Sequence, residues 1–310
     1  RLPTAQRMAG DGRLQEIMRQ AAVDLQYYLT YGDRYAEALA VNEQVRPLLD
    51  GELQQAFARH AAAIRIQAGE VDEGLADLRA LATEIGEVEG AVDAWGDALF
   101  AAIDKQHFDD ADLAVQGAEA FINRTWQGDF TGEEAKRDQG FVAYLRSRLA
   151  AARGQGREAM AWFQHAGMLD PFYRHNPQYL YTHLVDVGAF DEAQTLIRSD
   201  KEGPIRAAFW QGIVHHRNGK GAEAQAAWRK AVETKLPEDG NVDYLELVLA
   251  RYYLGDHDGI GLASVLRAID EDPGFWGLFY LAGLGQAMRN NMAAARLNIQ
   301  LALLRRKSMA

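Results

Sequence analysis

The residues able to do chemistry here are 44 Asp and Glu and 8 His; the 310 residues include no Cys. Without thiols there are no disulfide scaffolds, thiolate nucleophiles or Cys-ligated zinc sites. His215 and His216 are adjacent, so on a helix their side chains diverge by about 100° and do not easily share a metal. One is expected to face a groove and the other the core. Acids gather in FDDAD, 108–112, and GDHDG, 255–259. Both runs stand at a turn leading into a helix, where carboxylates satisfy free amides and the positive dipole end. That role is expected in preference to calcium binding or catalysis. A glycosidase needs two carboxylates at a set separation, and spacing alone does not single out two among 44. The sequence has no HExxH, phosphate-loop glycine pattern, dinucleotide fingerprint or nucleophile elbow. The chain is therefore expected to be non-enzymatic, with no metal and no cofactor.

The elements that position these residues are helical. Hydrophobic residues make up 48% and charged residues 25%, with only 7 prolines and almost no strand-type alternation. A net charge of −11 argues against a nucleic-acid partner. Arg305, Arg306 and Lys307 read as a solvated helix end that complements the dipole. The most apolar run, 274–285, is too short to span a bilayer, so no membrane insertion is expected. The first residue is Arg1, so the chain reads as processed or cut from something longer. The expected compartment is the cytoplasm; periplasmic or exported locations stay open, because a removed leader leaves no trace.

Helical stretches are separated by similar breaks: GDRYAEA, GEVDEGL, QHFDDAD, GQGREAM, GAFDEAQ, GKGAEAQ, GDHDGIG and NNMAAAR. They are anchored at Gly32, Gly69, Gln106, Gly154, Gly188, Gly219, Gly255 and Asn290. A small residue usually follows five positions later, at Gly74, Ala111, Ala159, Ala193, Ala224 and Ala295; the first copy delays it to Ala38 and the seventh to Gly261. Anchors recur about every 34 to 37 residues, with one shorter and one longer interval. A period of this size signals a stack of helical hairpins, each a helix A, a tight turn and a helix B. The long interval carries about a dozen extra residues near 122–138, expected as a loop or an extended helix. Trp126 and Phe130 within it are either anchors onto the body or exposed contacts.

These residues resemble the tetratricopeptide repeat family, whose helix A carries W-x2-L-G-x2-Y and whose helix B carries A-x3-F-x2-A with a closing Pro. Residues 154–171 hold the second half, with Ala159, Phe163, Ala166 and Pro171. Further copies supply Trp95, Ala111, Val115 and Ala118; Gly212, Ala224, Trp228, Ala231 and Pro237; Tyr252, Gly261, Val265, Ala268 and Pro273; and Phe279, Gly283, Ala295, Ile299 and Ala302. The remaining copies keep mainly the small residue. The resemblance implies an all-α, right-handed α-solenoid of about eight antiparallel hairpins over 13–306, with tails at 1–12 and 307–310. Trp162, Phe163 and Trp228 are expected in the core between hairpins.

The resemblance also implies that helices A line a concave surface that takes a peptide or a partner's helix. The inward positions would be Tyr27, Arg59, Phe100, Tyr144, Arg148, Gln178, Thr182, Arg206, Phe209, His216, Glu246, Tyr253 and Tyr280. Several are aromatic and three are Arg, the types enriched in binding hot spots. The Lys/Asn clamp by which one subfamily grips chaperone tails is missing, although Arg148 and Arg206 are suited to an acidic peptide. The function implied is an interaction scaffold for a protein or peptide partner. The alternative is a docking or sensor arm of a larger signalling or enzymatic polypeptide. A hydrolase on an α/α scaffold would instead need two carboxylates facing each other across a deep pocket.

Overall fold

Five turn glycines, Gly69, Gly154, Gly188, Gly219 and Gly255, adopt φ between 72° and 96°, and Gln106 takes the same left-handed conformation at 62°. They are the described anchors of the repeat, and the turn around them is the same each time. The residue after the anchor donates its N–H five residues back, as in Gln155 to Ala150 (2.9 Å), His107 to Ala102 (2.8 Å), Ala189 to Leu184 (2.8 Å) and Lys220 to His215 (2.9 Å). This is the bond that closes a helix through a left-handed residue. The small residue then closes the first turn of helix B: the Ala159 N–H reaches Gln155 O at 2.9 Å and the Ala224 N–H reaches Lys220 O at 3.0 Å. In the first copy the equivalent bond runs from Arg34 to Leu29 (2.8 Å), and Ala38 donates to Arg34 (3.0 Å). Counted from that bond, Ala38 is in register with the other copies, and the extra residue counted from Gly32 disappears.

The computed structural model describes residues 13, 17, 21–23, 25, 26, 29, 30, 34–49, 51–85, 88–234, 244–255, 276–288 and 291–307. Tyr27, Gly32, Asn290, Pro237, the 256–275 stretch with Gly261, Val265, Ala268 and Pro273, the 1–12 tail, and residues 308–310 of the expected 307–310 tail lie outside the described residues. Among the described residues there is no strand. The helices are α1 Tyr35–Val45, α2 Gly51–Ala68, α3 Val71–Glu84, α4 Val88–Asp104, α5 Phe108–Trp126, α6 Glu133–Ala152, α7 Gly156–Leu169, α8 Pro171–His175, α9 Gln178–Asp186, α10 Phe190–Ser199, α11 Pro204–Arg217, α12 Gly221–Glu233, α13 Tyr244–Tyr253, α14 Trp276–Met288 and α15 Met292–Lys307. No described helix is long and apolar enough to cross a membrane. The chain divides into two compact units, residues 1–145 and 146–310.

In the first unit α2/α3 and α4/α5 form antiparallel hairpins, and α1 packs on α2. Helix starts here do without side-chain caps: Glu70 and His107 precede α3 and α5 with no capping bond. Asp72 and Glu73, then Asp109 and Asp110, fill the first turns and complement the free amides, each worth about 0.3–1 kcal/mol. This is the role expected of FDDAD; most of GDHDG lies outside the described residues. The two helices of a hairpin touch where one has no side chain. A Cβ at Gly74 would stand 2.5 Å from Ile66 Cγ1, and one at Gly117 would enter the Trp95 ring. Gly117 belongs to the same helix-B stretch as Val115 and Ala118, both buried.

In the second unit α9/α10, α11/α12 and α14/α15 are antiparallel hairpins, and α6 turns into α7 at Gly154. The glycine moves to helix A here: a Cβ at Gly212 would overlap the Trp228 indole, and one at Gly283 would stand 2.5 Å from Ile299 Cγ1. Ala159, Ala193 and Ala224 are fully buried, as is Ala111 in the first unit. Phe163 and Trp228 are core residues at 3% exposure. Trp162 is not: it is half-buried, with the Arg146 guanidinium over its ring at 4.7 Å. Among the described residues the architecture in both units is an all-α stack of antiparallel hairpins.

The 122–138 excess is absorbed mostly as helix. α5 runs on to Trp126 for 19 residues, α6 starts at Glu133 and runs for 20, and only 127–132 turns between them. The Trp126 indole donates to Asp138 Oδ2 at 2.8 Å, so Trp126 is an anchor onto α6. Phe130 is half-buried.

Gln106 is the one repeat anchor among the described residues that is left-handed without being glycine. That conformation costs an L-residue roughly 1 kcal/mol, and glycine's extra unfolded-state freedom offsets part of the relief. Gln106→Gly is expected to raise stability by about 0.5–1 kcal/mol, read as a higher urea midpoint with an unchanged m-value.

Candidate partner-binding faces

In the first unit α4 sets the candidate surface. Its inner side is packed through Ala91, Val92, Ala94, Trp95, Ala98, Leu99 and Ala102. The stripe left over is Asp93, Asp97, Phe100 and Asp104, spaced four, three and four, which is one helix face. Arg59 reaches across from α2 to Asp93 at 3.5 Å and Asp97 at 3.6 Å. One guanidinium thus serves two carboxylates at the long end of ion-pair contact. Beyond them the Phe100 ring meets Tyr144 of α6 edge-on at 6.3 Å, and Phe141 tilts against the same Tyr144 at 6.3 Å. Of the residues expected on this face, Arg59 and Phe100 are half-buried, and Tyr144 is buried at 6% exposure.

Burial raises the Asp97 carboxyl from 3.8 to about 6; Arg59 opposes that rise and Asp93 adds to it. A carboxyl with a raised folded pKa holds its proton more tightly in the fold than in the open chain. The resulting stabilisation is full below about 3.8 and is lost as pH rises through about 6. At neutral pH the ionised Asp97 is a net cost. Asp97→Asn is therefore expected to stabilise by about 1 kcal/mol at pH 7.5, after discounting for partial exposure, and to change little at pH 4.5. Thermal melts at the two pH values check this. Groups that cost stability at working pH concentrate at functional sites.

The second unit divides its expected residues into three fates. Arg206 is spent internally: its Nε and Nη2 each contact Asp200 at 3.1 Å, and Asp200 also accepts from the Tyr181 hydroxyl and the Gly203 N–H, both at 3.0 Å. The Asp200 and Arg206 side chains are 0% and 8% exposed. Burial, with Asp200 adding, pushes the Tyr181 phenol far upward. Thr182 and Gln178 are half-buried and tied locally, with Thr182 donating to Gln178 O and Gln178 Nε2 donating to Asn176, both at 3.0 Å. Arg148 and Glu246 are half-buried.

Phe209, His216 and Tyr253 do come together, around Trp228. Tyr253 stacks on the indole at 4.6 Å and 20°, His216 lies 5.8 Å from it, and Phe209 stands 6.1 Å from Tyr253. Phe209 is buried at 3%, whereas Tyr253 is 42% exposed and His216 is exposed. Tyr280 is half-buried, and its phenol is raised by burial and by the neighbouring Tyr253 and Tyr252. Tyr252, which stands among the repeat-pattern residues of its copy, is 39% exposed. His215, the preceding residue on the same helix, is half-buried. Tyr144, Arg206 and Phe209 are thus corrected from surface positions to positions inside the stack: each is within reach of a ring or carboxylate that fills its side.

Asp93, Asp97, Phe141 and Asp200 were not found from sequence. The signal for the first two was present, as two acids four apart in the otherwise apolar VDAWGDALF. Another group, Asp72, His107 and Asp110, bridges successive hairpins, with His107 Nδ1 at 3.4 and 3.6 Å from the two carboxylates. Arg79 already pairs Asp110, which fits an inter-repeat ion-pair bridge.

No family model matches the chain, and no curated protein matches it. Among solved structures it is similar to a tetratricopeptide repeat protein from Parabacteroides merdae, at 12% identity and a TM-score of 0.36, over 94% of this chain and 99% of that one. It is also similar to the P58(IPK) TPR domain, at 12% identity and a TM-score of 0.24, over 94% and 96% of the two chains. The fold assignment rests on the chain's own turns and helix crossings rather than on these likenesses.

Proposed function

We propose that the chain is a protein-interaction scaffold whose helix-A faces receive a partner protein or peptide, either alone or as the docking arm of a longer polypeptide. This reading gives the chain no catalytic residue and no cofactor. The observation that carries it is the α4 stripe. Asp97 is kept half-buried at a cost in neutral-pH stability, beside rings that the hairpin does not fully cover. The exposed Tyr252, Tyr253 and His216 give the second unit a comparable helix-A surface. Aromatic and Arg side chains, partly desolvated before binding, are the types that dominate interface energies.

Affinity capture tests the proposal. One variant carries Asp93→Asn, Asp97→Asn, Phe100→Ser, His216→Ser and Tyr252→Ser; a control carries Leu113→Ser and Arg229→Ser, exposed positions on helices B. The helix-A variant is expected to lose the partners that wild type recovers, and the control to keep them. If a folded helix-A variant recovers the same partners in the same amounts, the proposal is wrong. Tyr144, Arg206 and Phe209 are left intact because replacing them would test folding instead.

A further inference from the structure

The acids are distributed unevenly. Residues 1–145 hold 26 Asp and Glu against 13 Lys and Arg, whereas residues 146–310 hold 18 against 20. The negative balance belongs wholly to the first unit, and the second is slightly basic. On its helices B acids are met by the chain's own side chains, as in Arg65 with Asp77, Arg79 with Asp110, and the His107 imidazole between Asp72 and Asp110. On the α4 face Asp93 and Asp97 share Arg59 as their one ion-pair partner among the described residues. The Phe100 and Phe141 rings continue the same face toward α6. An anionic unit raises the local concentration of cationic partners and speeds their encounter. An exposed carboxylate at Asp93 and a half-buried one at Asp97, beside rings, then reward a side chain with a charged head and an apolar stem.

We propose that the helix-A face of the first unit, formed by α2, α4 and residues 133–145 of α6, docks a basic amphipathic segment of a partner protein, with a Lys or Arg head at Asp93 and Asp97 and apolar side chains against Phe100 and Phe141. This rests on the scaffold reading and specifies the partner's chemistry. It departs from the acidic peptide suggested by Arg148 and Arg206. Arg206 is already paired with Asp200, and an acidic partner at the α4 face would approach a unit of its own sign.

The probe is a fluorescein-labelled helical peptide with Lys at i and i+4 and Leu on the adjoining positions, together with its Lys→Glu counterpart. Anisotropy titrations at about 0.15 M salt limit long-range charge effects to roughly 8 Å. The full chain is compared with Asp93→Asn/Asp97→Asn and with Glu73→Gln/Asp109→Asn, which removes one charge from each of two helices B. The basic peptide is expected to bind wild type and the helix-B variant within about twofold, and the α4 variant about tenfold more weakly. The acidic peptide is expected not to bind. Equal weakening by both variants, binding of the acidic peptide, or no binding of the basic one overturns the inference. The capture experiment separates the two failures. If helix-A substitutions abolish capture while the basic peptide ignores the α4 face, the scaffold reading stands and only the basic partner falls.

Discussion

Gly212→Ala is expected to destabilise the second unit by about 3 kcal/mol or more, through a single added methyl group. The methyl would overlap the five-membered side of the Trp228 indole. The ring has little freedom to retreat: it is 3% exposed, stacked on Tyr253 at 4.6 Å, and its N–H donates to Phe209 O at 3.3 Å. Relief requires α11 and α12 to separate, which uncovers Ala224 and Ala231 as well. Trp228→Leu alone should also destabilise, by leaving a cavity. The double variant should lose less than the sum of the two, because the clash and the cavity compensate. In a stack where hairpins contact only neighbours, the damage should stay local. Hydrogen exchange should accelerate in α11 and α12 and remain at its wild-type rate in α2 and α3. Uniform acceleration throughout would contradict nearest-neighbour packing.

Arg206→Ala is expected to cost about 3–5 kcal/mol, because it leaves the Asp200 carboxylate buried without its countercharge. The Asp200 side chain is 0% exposed, and Tyr181 and Gly203 supply only neutral donors. Arg206→Met with Asp200→Asn should lose less than either single change, since the amide still accepts from Tyr181 and no buried charge remains. Urea unfolding of the four proteins gives the coupling directly. A small effect for Arg206→Ala would mean that water reaches Asp200, and would return Arg206 to the set of surface candidates.

Arg206 also illustrates where sequence reasoning stopped. Its helix and its place in the repeat were legible, because turns and close crossings depend on local residue types. Gly154 and its equivalents mark left-handed turns, and Ala159 and its equivalents mark the crossing just beyond. The repeat spacing also flagged the long interval, although whether it became loop or helix depended on Trp126 finding Asp138. How a side chain is spent was not legible in the same way. Arg206 and Asp200 sit six residues apart across a helix start, and no periodicity says that the chain folds one back onto the other. Tyr144 and Phe209 look like hot-spot residues by type, yet type does not distinguish a ring under a neighbouring helix from one facing solvent. Asp97 was passed over for the opposite reason. An acid among 44 draws no notice until burial shows that it is costly.

Site-specific photo-crosslinking tests the scaffold account most directly. A benzophenone amino acid would replace, one at a time, Phe100 and Tyr253 on helices A and Leu113 and Arg229 on helices B. After irradiation in the presence of captured partners, adducts are expected from Phe100 or Tyr253 and not from Leu113 or Arg229. Adducts arising equally or chiefly from Leu113 and Arg229 would contradict the assignment of partner binding to the helix-A faces.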